Sequence, residues 1–337
     1  MRRRLLILIL IIPILFFCCM LWGSVDIPAG DVMRVLTGQP LENHVWEVIL
    51  IESRLPMALC AMLAGAALSV AGLLLQTTFN NPLAGPSILG ISSGASLGVA
   101  VVMLLLGGSV GVHGFGYYAA VVGGAMTGAM TILVILLVFS GIVRSTAMLL
   151  IVGILVGYLT SSAISLLNFF ATQEGVHSFV IWGMGSFSGI TWSRLGVFAM
   201  IGVSALLLSL LLIKPLNALL LGSRYAESMG IDIRRTRNAL MILSGLLTAV
   251  TTAFCGPIGF LGLVVPHIAR MFMRTSNHAV LLPTTALTGS AVGLLCTLLS
   301  VLPSRTEVIP LNAITPVIGI PVIIYIIVAR KRLHYFN

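Results

Sequence analysis

Apolar stretches close to the length of a bilayer follow one another along almost the whole chain. They lie near 5–24, 57–78, 88–106, 116–139, 146–170, 194–213, 238–255, 258–269, 279–299 and 312–329. A helix of roughly 20 apolar residues crosses the hydrocarbon core, so the pattern predicts an all-α polytopic membrane protein with about ten transmembrane helices. The connections between them are short, and residues 1–337 read as a single transmembrane domain. Cys255-Gly-Pro-Ile-Gly259 splits one long apolar run, which predicts a tight turn between a seventh and an eighth helix. Small residues recur within the runs, as in Gly65-Ala-Ala-Leu-Ser69 and Gly153-x-x-x-Gly157, a spacing that lets helix backbones approach closely.

Composition agrees with this picture: 58% of the residues are hydrophobic and 8% are charged, against about 25% charged in soluble domains. The net charge of +9 is scattered over short loops without interleaved aromatics, so it reads as topogenic and excludes a nucleic-acid surface. With the N-terminus in the cytoplasm, Arg34, Arg54, Arg194 and Arg305 fall outside and the other fourteen of the 18 Lys and Arg fall inside. Fusing the seventh and eighth helices would move Arg270 and Arg274 outside, so ten spans with both termini cytoplasmic fit best. Met1-Arg-Arg-Arg4 and the run Leu5–Trp22 imitate a signal peptide, but the run is long and no small-x-small site follows, which predicts a retained first helix. The five cysteines sit singly or side by side in apolar runs, and no metal site is expected of them.

Every charged residue can be placed in a loop or at a helix end. Ion-coupled carriers usually hold ionisable groups inside their helices, so this pattern argues against them. An ion-coupled secondary carrier with broken helices stays as the alternative, because sodium sites can be built from carbonyls and hydroxyls alone. An intramembrane enzyme around His267 has no partner nucleophile or base at helical spacing, and no catalytic residue is assigned.

Three segments carry more than packing. In Gln76-Thr-Thr-Phe-Asn80-Asn81-Pro82-Leu-Ala-Gly-Pro86, the residues Asn80, Asn81, Pro82 and Pro86 cannot form a helix interior. Such backbone survives at membrane depth only when buried in protein or lining a watery path. The segment 216–231 is too short to span and too apolar for a solvated loop. Leu219 lies within it, and Gly222, Ala226 and Gly230, four apart, predict one helix with a narrow face for docking into a partner's groove. In Gly256-Pro257-Ile-Gly-Phe-Leu-Gly-Leu-Val-Val-Pro266-His267, the histidine reads as a buried, hydrogen-bonded residue rather than a ligand. Gly85-Pro-Ser-Ile-Leu-Gly90 echoes the start of this segment on the other side of the membrane, as two inverted halves would require.

In order and spacing these segments, with Trp182-Gly-Met-Gly-Ser-Phe187 and Thr315-Pro-Val-Ile-Gly-Ile-Pro321, resemble the FecCD-type permeases. The resemblance implies a type II ABC importer fold of two inverted five-helix halves, carrying an iron-siderophore, cobalamin or haem by alternating access. It implies as partners a second copy of the permease, two ATP-binding cassette subunits, an extracytoplasmic substrate-binding protein and the lipid of a bacterial inner membrane. The chain has no Gly-x-x-x-x-Gly-Lys loop, so ATP and Mg are expected on the partner ATPase and no cofactor on this chain. By resemblance, 216–231 holds the coupling helices and Thr146 and Ala147 mark the cytoplasmic gate. The fifth and tenth helices would line a path at a two-fold interface. Arg54, Arg305 and Glu307 would dock the binding protein, although Met57 replaces the arginine of the family's Arg-x-Pro-Arg pattern.

Overall fold

The computed structural model describes residues 2–106, 115–143, 145–301 and 308–330, which are helical almost throughout and contain no strand. Helix α1 (Arg2–Leu21) is followed by short α2 (Ala29–Leu36) and α3 (His44–Val48), and a π-helical turn, Ile49–Arg54, feeds α4 (Leu55–Thr78). Next come α5 (Ile91–Ala100), its π-helical extension Val101–Leu106, α6 (Phe115–Ile142), α7 (Thr146–Phe170) and α8 (Gln173–Gly183). The second half holds α9 (Trp192–Leu210), short α10 (Ile213–Leu219) and α11 (Ser223–Ser228), α12 (Ile233–Cys255), α13 (Leu261–Met273), α14 (His278–Val301) and α15 (Leu311–Arg330). Among the described residues seven helices are long and apolar enough to cross a membrane, and α5, α13 and α15 supply shorter apolar helices. Each of the ten predicted stretches falls on one of these helices. The short α2, α3, α8, α10 and α11 were not predicted individually.

Helix α4 is the centre. It is buried along nearly its whole length and packs against α12, α13 and α14. The partners are matched between halves: α4 lies on α13 and α14, α12 lies on α5 and α6, and α4 meets α12 across the middle. That is the pairing expected if five-helix halves are inverted copies.

Glycine sets the distance at these contacts. A Cβ at Gly65 would collide with the Gly289 carbonyl and one at Gly289 with the Gly65 carbonyl, while one at Gly72 would overlap the carbonyl of Gly262. Gly98 and Gly124 repeat the arrangement between α5 and α6. Hydroxyls inside the apolar helices are satisfied locally. Thr248, Thr251, Thr284, Thr288 and Thr297 each donate to the carbonyl four residues back, at 2.7–3.0 Å. A side chain satisfied in this way can face hydrocarbon or a neighbouring helix.

Gly72→Leu and Gly289→Leu are expected to abolish a monodisperse peak in detergent size exclusion, because a backbone collision cannot be relieved by a rotamer change. Gly196→Ala, where nothing lies within 4 Å of the added Cβ, should elute as the wild type does.

Candidate functional site

The bundle has two chemically different ends. Helices α1, α5, α7, α12 and α14 begin at the basic end, with Arg4, Lys214, Arg224, Arg234, Arg235, Arg270 and Arg274; the opposite end carries Arg34, Arg54 and Arg194. Helices are interrupted near both ends, and polar side chains stitch the interruptions.

At the basic end the break follows α4. Asn80 is exposed and takes a positive φ of 44°, and the Asn81 Oδ1 accepts from the Leu83 amide at 2.9 Å. The chain then turns beneath α13. Buried Pro86 lies against Gly262, and His267 on α13, itself buried, places Nε2 2.7 Å from the Pro82 carbonyl. Because a carbonyl only accepts, Nε2 carries the proton in that bond. Gln76, in the last turn of α4, donates to the Leu263 carbonyl at 3.0 Å and accepts from Arg270 at 2.7 Å. Of the two settings that tolerate broken backbone, Pro86, Gly256, Pro266 and His267 occupy the buried one. The sequence reading of His267 as a hydrogen-bonded structural residue agrees with this geometry.

At the opposite end the break is Gly256-Pro257-Ile-Gly259, between α12 and α13. Gly256 has φ 75°, and a Cβ there would press on the Trp182 carbonyl. Asn312, at the start of α15, ties three segments together. Its Nδ2 donates to the Gly183 carbonyl at 3.1 Å and the Pro257 carbonyl at 2.6 Å, and its Oδ1 accepts from the Gly259 amide at 3.1 Å. Backbone bonds from Ser186 to Cys255 (2.9 Å) and from Asn312 to Met184 (3.2 Å) complete the clasp. The sequence motif around Trp182 pointed to this place, but nothing in it pointed to Asn312. Beside the clasp is a cavity of about 240 Å³, lined by Met57, Ile181, Ser186, Thr297 and Leu311 among others.

Two expectations need correction. Arg54 is 4% exposed, so it presents no charge to a docking protein. Its guanidinium instead donates to the carbonyls of Met20 (2.6 Å), Leu21 (2.8 Å) and Val25. It thereby caps the end of α1, where unpaired carbonyls and the helix dipole both favour a cation. The stripe of small residues in 216–231 is also not one helix face. Gly222 (φ 100°) and Gly230 (φ 81°) are left-handed turn residues that bound α11, and Ala226 is buried beneath it. What this segment exposes is Leu220, Leu221, Tyr225 and Met229, at 45–63%. Leu219 turns inward to the core formed by Leu73, Leu216 and Leu281. Thr146 and the exposed Ala147 begin α7 at the basic end. Arg305 and Glu307 lie outside the described residues.

A many-helix membrane bundle with interruptions near both ends and a projecting pair of short helices at one end has the architecture of a transport permease. The model of the FecCD transport family matches residues 8–329, and this chain belongs to that family. The chain is similar to the vitamin B12 import system permease proteins BtuC of Citrobacter koseri, at 34% identity, and of Salmonella typhi, at 35%. Each similarity spans 292 residues, 86% of this chain and 84% and 85% of the respective relatives. A solved chain in an inward-facing conformation, assigned as a metal-chelate type ABC transporter, aligns over 98% of this chain and 100% of its own length. Its TM-score is 0.84 at 29% identity. The protein is therefore an ABC importer permease of the FecCD type, a transport subunit whose ATP hydrolysis belongs to partner ATPase subunits.

Arg54→Ala is expected to lower the thermal midpoint of the purified protein, since each hydrogen bond to a charged group contributes about 1.5–3 kcal/mol. Unchanged stability with loss of binding-protein affinity would restore the docking role.

Proposed function

We propose that this chain forms, with a second copy of itself, the membrane path of an ATP-driven importer for a large metal chelate. The class is cobalamin, ferric siderophore or haem, and it is suggested by the names of the relatives and of the structural neighbour. The observation that carries the coupling is the apolar cap of the α10–α11 segment. Leu220, Leu221, Tyr225 and Met229 stand exposed on a segment too short to span, at the end rich in Lys and Arg. An apolar patch held out on two short helices is suited to seating in a groove of another protein. The basic end is the cytoplasmic end by the charge rule, so both termini and this patch face the ATPases, in a bacterial inner membrane.

The path lies between the two copies. The 240 Å³ cavity falls below the usual 300–1,000 Å³ of small-ligand pockets. Helix α7 meanwhile leaves Tyr158, Leu159, Phe169 and Phe170 more than 70% exposed, and α15 leaves Val317 so. Two such faces, with Thr146 and Ala147 at their cytoplasmic rim, would enclose a path wide enough for a chelate. ATP binding closes the cassettes, the grooves move α10–α11, and the helices swing about the breaks at 79–90 and 256–260. The binding protein supplies most of the substrate selection.

Leu221→Asp and Met229→Asp are expected to reduce co-purification of the ATPase subunits and ATP-dependent uptake into proteoliposomes by at least about tenfold, the effect of losing roughly 1.4 kcal/mol. Uptake would be assayed against cyanocobalamin, a ferric hydroxamate and haemin. Full uptake by both variants would overturn the coupling role of the patch. Uptake in ATP-free vesicles under an imposed sodium or proton gradient would establish the ion-coupled carrier instead.

A further inference from the structure

Among the described residues, Asn217 joins the coupling segment to the bundle by directional contacts. Asn217 lies on α10, and its Oδ1 accepts from the His278 backbone amide at 2.8 Å and sits 3.1 Å from His278 Nδ1. Its Nδ2 donates to Asn277 Oδ1 at 3.0 Å. Asn217 therefore caps the start of α14 from a different element. His278 is fully buried, and on the far side of its ring Nε2 lies 2.9 Å from the hydroxyl of Thr77, in the last turn of α4. An amide oxygen has no proton to give, so Nδ1 is the donor to Asn217; in the neutral ring Nε2 accepts from Thr77, whose single hydroxyl proton is shared with the Leu73 carbonyl 3.0 Å away. Gln76, beside Thr77, is bonded to Leu263 and Arg270 of α13. On α13, His267 holds the Pro82 carbonyl of the break after α4. Polar contacts, joined through the backbones of α4 and α13, thus link α10 through His278 to the foot of α4, to α13 and to the broken segment.

We infer that His278 is a positioning residue that transmits movement of the α10–α11 segment to the foot of α4 and the break behind it. The inference rests on the coupling role proposed above. Apolar side chains of α10 and its N-cap, Leu212, Ile213, Leu216 and Leu219, pack into the core that holds Leu73, Leu74 and Leu281. Apolar contacts resist separation but have no preferred direction, so they permit sliding. A hydrogen bond weakens steeply with misalignment, and a buried imidazole between two polar partners has no water to replace either of them. When α10 shifts, the low-energy response is for α14 and α4 to follow. Asn217 alone would fix α10 to α14. The ring of His278 extends the connection to α4, the helix that carries the break.

The test uses the complete complex of permease, ATPase subunits and binding protein in proteoliposomes, and reads cyanocobalamin, ferric hydroxamate or haemin transported per ATP hydrolysed. Thr77→Val removes the α4 contact with little change of volume, and His278→Leu removes both contacts of the ring. Both complexes should retain the wild-type ATPase stoichiometry and hydrolysis rate, while the transport-to-hydrolysis ratio falls by about twofold to thirtyfold, the range of measured coupling perturbations. The double variant should fall no further than the single ones. His278→Gln, which keeps a polar group toward Thr77, should recover part of the ratio lost in His278→Leu. Should His278→Leu fail to assemble, Thr77→Val carries the test alone. An unchanged ratio in an assembled Thr77→Val complex, or losses that multiply in the double variant, would overturn the inference. Failure of the coupling segment itself has a different signature, because Leu221→Asp would then leave assembly intact.

Discussion

The carbonyl of Gly262 lies where a side chain on Gly72 would begin, and this contact, with those of Gly65 against Gly289, determines what the rest of the bundle can be. Lipid tails are as apolar as leucine, so helices in a bilayer gain little from merely hiding apolar surface. They associate where backbones can come close enough for dense van der Waals contact. Helix α4 meets that requirement on several sides at once, and α12, α13 and α14 assemble around it. Interhelical hydrogen bonds such as Ser244 to Ala71 and Ser290 to Met62 add to this. At an average near 0.6 kcal/mol each, they orient the helices rather than hold them together. The ordering is steric first and polar second.

A helix enclosed this tightly cannot easily bend within its length, so freedom must come from its ends. Backbone is interrupted directly after α4 and directly before α13, and in both places the freed polar groups are held by side chains from elsewhere in the chain. Asn312 holds three segments at one end, while His267 and Gln76 hold two at the other. Side-chain bonds can exchange partners without unfolding a helix, whereas the glycine contacts have only one arrangement. Rigid centre and exchangeable ends together would suit the alternating access proposed above.

Much of this could be read from the sequence because hydrophobic length is a strong signal. Helix α7 spans Thr146–Phe170, as predicted, and the break at Cys255–Gly259 lies where glycine and proline placed it. The misreadings have a common physical source: one residue pattern serving two purposes. Small residues four apart are compatible with a helix face and equally with turns at each end of a short helix, and only φ at Gly222 and Gly230 separates the two. An arginine near a predicted membrane boundary is either solvated or capping, and Arg54 caps because the π-helical turn ahead of α4 brings it beneath the last carbonyls of α1. Asn312, His278 and Thr77 were illegible for another reason. Their roles lie in partners 50 to 200 residues distant, and no local spacing encodes those.

The two ends also differ in what their polar groups join, and the difference bears on direction. Asn312 binds backbone to backbone across α8, α15 and the α12–α13 break, so its clasp contains no element that projects out of the bundle. At the basic end the polar contacts reach outward to α10, and α10 leads into the exposed apolar pair Leu220 and Leu221. Force applied to α10 from outside the bundle can therefore enter through these polar contacts. That difference follows from side-chain reach: Asn217 sits on a helix of seven residues and bonds to the start of α14, whereas Asn312 begins a helix of twenty and bonds to the break beside it.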